Sequence, residues 1–313
     1  MSIYNRILVV ADINSEKQPA LARAIQLSES SRSESKITFF LSIYDFSYEM
    51  TSMLSVDERD AMRKGVVRQR ELWMKEVAAP YLEQGANIDV KVVWHNRPYE
   101  AVIAEVFAEK HEIVVKATRK HDVLESVIFT PTDWHLLRKC PCAVLLVKNH
   151  DWPVNGNIMA SVHVGSENPT HLGLNDRMVE QLQDICGRLN ANPILVNAYP
   201  VTPANITIEL PEFDPASYTD AVRGHHLTAM KALRQKHSLD QDNTRTEQGL
   251  PEDVIPKLVD ELDVGLVILG TTGRTGLSAV FIGNTAEHVI DKINCDVLAL
   301  KPEGFVSPLD PIQ

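Results

Sequence analysis

The chain has 313 residues, 44% hydrophobic and 23% charged, with 31 Lys+Arg against 42 Asp+Glu for a formal net charge of −11. Collagen-like, disordered and disulfide-scaffold classes are excluded by only 14 Gly, 17 Pro and 4 Cys, and at about 150 residues per domain the length implies two domains. The longest apolar run, Cys142–Val147, has six residues, against about 20 needed to cross a bilayer, so no membrane partner is expected.

Elements are expected in this order. Apolar runs of strand length occupy Arg6–Ala11, Lys36–Tyr44, Asp89–Trp94, Glu112–Ala117 and Cys142–Val147. Helical periodicity fills the gaps at Pro19–Ser28, Val56–Glu83, Pro98–Glu109 and Pro131–Lys139. The first run is too short for a signal-peptide core and no cleavage site follows it, so the expected location is the cytoplasm. Cys140, Cys142, Cys186 and Cys295 lack zinc or thioredoxin spacing and read as buried thiols of a reducing compartment.

Further along the chain repeats itself. Setting each residue against the one 153 later aligns Pro98–Lys148 with Pro251–Lys301 without a gap. Identical pairs include Thr118/Thr271, Leu124/Leu277, His135/His288, Cys142/Cys295 and Lys148/Lys301. The junction falls near residue 152, giving domains 1–152 and 153–313. The second half carries strands at Ile158–Val162, Pro193–Ala198, Thr244–Gln248, Gly265–Leu269 and Asp296–Leu300, and helices at Tyr218–Lys236 and Thr285–Ile293. Strands alternating with helices imply right-handed crossovers, so each half is expected to be a five-stranded α/β sandwich with a parallel sheet covered on both faces. Between these elements, Tyr199–Pro215 holds four prolines and reads as a binding loop or a surface spacer.

Charge divides unevenly between the halves. Residues 1–152 are nearly neutral, whereas residues 153–313 carry 11 basic and 21 acidic groups. An acidic half without basic stripes disfavours direct nucleic-acid binding.

The clearest chemical signal is Gly270-Thr271-Thr272-Gly273, then nine residues, then Gly283-Asn284-Thr285 at a helix start. Glycines allow close backbone approach to an anion, and the helix start supplies unpaired N–H groups and a positive dipole end. Asn284 with Glu287 three residues on also reads as a capping arrangement that needs no ligand. In the first half the three glycines become Ala117, Lys120 and Thr130, and Asn284 becomes Pro131; Thr130 with Asp133 forms a capping box there. Lys116, Arg119, Lys120 and His121 could attract an anion, but such a run more often reads as a solvated crest paired with nearby acids. His135 and His288, at matching positions, suggest shared packing. Neighbouring His225 and His226 point about 100° apart on a helix and make a poor chelate. His163 and His171 could meet if the loop between them folds back. No catalytic triad or carboxylate pair emerges, so no catalytic residue and no metal ligand is assigned.

The G-x2-G-x9-G spacing ending in Gly-Asn-Thr resembles the ATP-binding signature of the universal stress protein family, and the duplication is that of a tandem member. Asp45–Met50, Trp94–Pro98, Phe129–His135 and Glu209–Pro215 are similar to one bacterial branch of that family. The resemblance implies two Rossmann-like domains of strand order 3-2-1-4-5, paired within the chain as a pseudo-dimer through their last strands, with a further homodimer as an option. It implies a stress-survival role exerted through a protein partner, and ATP with Mg²⁺ bound in the second domain. The adenine pocket would fall at His163, Ala198 and Leu269, and the phosphates at Gly270, Gly273, Gly283, Asn284 and Thr285. The family usually has Asp where His163 stands and Ser or Thr where Asn284 stands; Asp12 keeps the family residue in the first half. A nucleotide-free scaffold for an apolar ligand or protein partner, and a weak ATPase, are the alternatives.

Overall fold

A computed structural model describes residues 4–29, 35–50, 54–120, 127–148, 150, 152, 155–200, 214–271 and 282–311. The chain divides into two compact units, Met1–Asn149 with Val306–Gln313, and His150–Phe305.

The first unit runs β1 (Arg6–Val10), α1 (Pro19–Glu29), β2 (Lys36–Ile43), α2 (Ser47–Met50), α3 (Val56–Glu83), β3 (Ile88–Trp94), α4 (Pro98–Glu109) and β4 (Ile113–Ala117). It continues with a two-strand ribbon, β5 (Arg119–Lys120) and β6 (Val127–Ile128), then α5 (Pro131–Lys139) and β7 (Ala143–Val147). Its main sheet has the order β3-β2-β1-β4-β7, parallel throughout. The central strand β1 is buried from Ile7 to Val10, as expected for a parallel sheet covered on both faces. Two capping boxes start helices here, Ser55 with Glu58 for α3 and the expected Thr130 with Asp133 for α5.

The second unit runs β8 (Asn157–Ser161), α6 (Pro169–Leu189), β9 (Asn192–Tyr199), α7 (Pro215–Lys236), β10 (Thr244–Gln248), α8 (Pro251–Glu261), β11 (Val264–Gly270), α9 (Asn284–Lys292) and β12 (Asp296–Leu300). Its strand order is β10-β9-β8-β11-β12, again parallel. Both units therefore have the order 3-2-1-4-5 in their own numbering. Reversal of strand order about β8 opens a crevice beyond the carboxyl ends of β8 and β11, where such sheets bind ligands.

The repeated residues do matching structural work. Thr118 donates N–H and Oγ1 to the carbonyl of Val147 at 2.8 and 3.2 Å. Thr271 does the same to Leu300, at 2.9 Å for both bonds. Each ties the end of the fourth strand to the end of the fifth. The histidine pair behaves differently. His135 stacks on Tyr99 with ring centroids 4.0 Å apart, whereas His288 is exposed. The residue 153 after Tyr99 is Glu252, so the stacking partner is missing and the expected shared packing does not hold. No helix among the described residues is long and apolar enough to cross a membrane.

Candidate functional site

A cavity of about 310 Å³ opens at the crevice of the second unit. Ser161 from β8, Ala198 from β9, and Leu269 and Gly270 from β11 form its floor, and Gly283 and Thr285 at the start of α9 form one wall. His163 lies two residues beyond β8 on its rim. The sequence-assigned residues His163, Ala198, Leu269, Gly270, Gly283 and Thr285 are thus brought together around one space. Asn284 is exposed at the first position of α9 and is not part of the lining. Gly273 and Arg274, like His121 and most of the Pro-rich segment, lie outside the described residues.

The start of α9 differs from the capping expectation. Gly283 is the N-cap, with φ 99°, and makes no side-chain cap bond. Asn284 and Glu287 therefore do not form the box, because Asn284 already lies inside the helix. A positive φ favours glycine, and a glycine cap has no side chain to accept from the first-turn N–H groups. Together with the helix dipole this gives the cleft wall an affinity for anions.

Gly270 has another explanation. A Cβ there would stand 2.6 Å from Cδ2 of Leu174 on α6, so the glycine makes room for that side chain. Apolar groups also close the rest of the cavity, with Leu174, Met178, Ile255, Ile282 and Val289 around its inner surface.

The loop after β8 is held amide by amide. Val162 donates to the carbonyl of Val196 at 2.8 Å. His163 N–H donates to Asn175 Oδ1, and Asn175 Nδ2 donates back to the His163 carbonyl, each at 3.0 Å. Val164 N–H donates to Asn197 Oδ1 at 3.3 Å. Asn175 and Asn197 are buried, at 3% and 0% exposure, so both are committed to shaping this loop. Neither was singled out in the sequence; the signal was a polar residue set in the apolar run Leu195-Val196-Asn197-Ala198.

His163 keeps solvent on one side, yet burial of the rest of its ring, and then the nearby His171, push its pKa below the usual value. The two rings meet edge to face with centroids 5.5 Å apart. The loop does fold back as the pairing required. Among the described residues no group of three or more His, Cys, Asp or Glu is placed to hold a metal ion.

In the first unit a buried ion pair stands at the matching positions. Lys116, at the position of Leu269, reaches 2.7 Å from Asp133 Oδ1, and the Asp133 side chain is fully buried. Lys116 is only 13% exposed, so it does not belong to a solvated crest. Asp133 also accepts from the N–H and Oγ1 of Thr130, closing the helix start. Asp12 accepts the Asn14 N–H at 3.0 Å and so closes its own turn.

The universal stress protein family model matches residues 3–148 and 174–301. Universal stress protein E of Salmonella typhi is 55% identical over 311 residues, covering 99% of this chain and 98% of that one. The universal stress protein E homolog of Haemophilus influenzae is 44% identical, covering 96% and 98%. A functionally unknown protein from Pseudomonas aeruginosa shares the architecture at a TM-score of 0.76 and 26% identity, covering 99% of this chain and 97% of that one.

Proposed function

The chain belongs to the universal stress protein family, and on that premise we propose that it is a tandem stress-response protein whose second unit binds ATP or a related nucleotide with Mg²⁺. The observation that carries this reading is the open cleft whose wall is the glycine-capped start of α9. Ala198 and Leu269 would contact the base, and His163 would stand at the rim beside it. The N–H groups after Gly283 would take the phosphates together with Gly270, and with Gly273, which lies outside the described residues. Because this half is strongly acidic, backbone donors rather than basic side chains would hold the anion, and Mg²⁺ would offset its charge. Thr285 adds a polar side chain to the lining, and Asn284 would meet the phosphates through its backbone N–H. The first unit lacks an equivalent, since Lys116 and Asp133 neutralise each other there. Binding would act through a protein partner that senses occupancy, in the cytoplasm.

The apolar lining supports one other reading, a nucleotide-free scaffold holding an apolar ligand. Denaturing the purified protein and analysing what is released separates the two. Released ATP, ADP or another nucleotide at a stoichiometry near one per chain supports the first reading. A released lipid-like or other uncharged apolar molecule, with no nucleotide, supports the second.

A further inference from the structure

Asn197 lies in the apolar run of β9 with no exposure, and both ends of its amide are used. Its Oδ1 accepts the Val164 N–H, and its Nδ2 lies 3.0 Å from Nδ1 of His226 on α7. A backbone N–H is always a donor, so it fixes which end of the amide faces the loop. The NH₂ end then faces His226, and Nδ1 has to accept. The ring is therefore neutral, with its proton on Nε2. On its flank the imidazole stacks against Tyr199, with centroids 5.3 Å apart and planes at 28°. It also lies against Gly165, where a Cβ would stand 2.4 Å from Cε1. One imidazole, only 6% exposed, thus joins α7, the end of β9 and the loop that carries His163 to the cleft.

We propose that Asn197 and His226 form a proton-sensitive latch on the Val164–Gly165 end of this loop, and that protonating His226 loosens that end and weakens ligand binding in the adjoining cleft. The statement about ligand binding rests on the nucleotide reading above; the statement about the loop does not. A protonated ring carries N–H at both positions, so Nδ1 would meet the amide donor head on. Rotating the Asn197 amide would instead set its NH₂ against the Val164 N–H. Either way one buried polar contact is lost.

The charges around the ring act in one direction. Burial, then His225 on the same helix, then His163 on the loop, hold the His226 pKa below its usual value. Tyr199 presents its ring face. Arg245 and Glu247 on β10 are exposed and do not bear on the imidazole. Asp176 on α6 is engaged by Lys236 and His237, toward the other end of α7. Loss of the latch therefore belongs below about pH 6.5, the ordinary histidine value.

The test combines two readouts on the full chain. Amide hydrogen exchange at Val164, corrected for intrinsic rates, is expected to lose protection by about tenfold or more between pH 7.5 and 5.5 in the wild type. His226→Gln, which keeps an acceptor but does not titrate, is expected to hold its protection, while His163→Gln loses it as the wild type does. Nitrogen NMR of the ring at pH 7.5 is expected to show the Nε2–H tautomer, which needs no variant. Calorimetry with MgATP at both pH values is expected to follow the loop. Protection that does not change with pH, equal loss in His226→Gln, or an Nδ1–H tautomer would overturn the latch. Absence of MgATP binding at both pH values, with the exchange pattern as expected, would overturn the nucleotide reading and leave the latch standing.

Discussion

Gly270 and Gly283 occupy one motif for different physical reasons. The first makes room for Leu174, and the second supplies a left-handed backbone at a helix start. Gly270→Ala is expected to destabilise the protein by about 1–3 kcal/mol, since the added methyl crowds the Leu174 side chain. Urea unfolding would measure it, and a change within about 0.5 kcal/mol would mean that the contact relaxes freely. The spacing alone could not separate these roles, because a glycine looks the same whether a side chain or a phosphate fills its space. Lys116 shows the converse. Arg119 and Lys120 follow within four residues, yet its partner Asp133 lies on the next helix, so only the fold reveals a buried pair.

Helix starts were legible to differing degrees. Thr130 and Asp133 form the expected box at α5, with Thr130 N–H donating to Asp133 Oδ2 at 2.6 Å. The same spacing in Asn284 and Glu287 forms none, because α9 begins one residue earlier than its capping pattern requires. Thr130→Ala is therefore expected to cost about 1 kcal/mol. Asn284→Ala should change stability by less than about 0.5 kcal/mol. Denaturant midpoints of the two variants check this, and equal losses would restore a capping role to Asn284. The strands were readable almost to the residue, since buried parallel strands are continuous apolar runs. The short ribbon of β5 and β6 was not, having only two residues on each side and no periodicity to detect.

Five strands in each half were legible because buried strands leave apolar runs and the duplication repeats them at a spacing of 153 residues; their order followed from the family resemblance alone. What the duplication hides is the asymmetry, a cavity at the switch point of one unit and a buried ion pair at the matching positions of the other. Histidines add a pH dependence to the whole. His111, His135, His163 and His226 all titrate below their usual value, each mainly because burial disfavours the charged ring. The unfolded chain then binds more protons than the fold between those lowered values and about pH 6.5. Stability is expected to be level from pH 8 to 7 and to fall as pH drops below about 6.5. Urea midpoints across pH 8 to 5 measure this, and a midpoint independent of pH in that range would refute it.

Calorimetric titration of MgATP at pH 7.5 tests the proposed nucleotide site of the second unit most directly. The expected result is one site per chain, retained in Ala117→Val and lost in both Gly283→Val and Gly273→Val while their circular dichroism stays native. No heat at millimolar MgATP, or binding that survives both glycine substitutions, would contradict it.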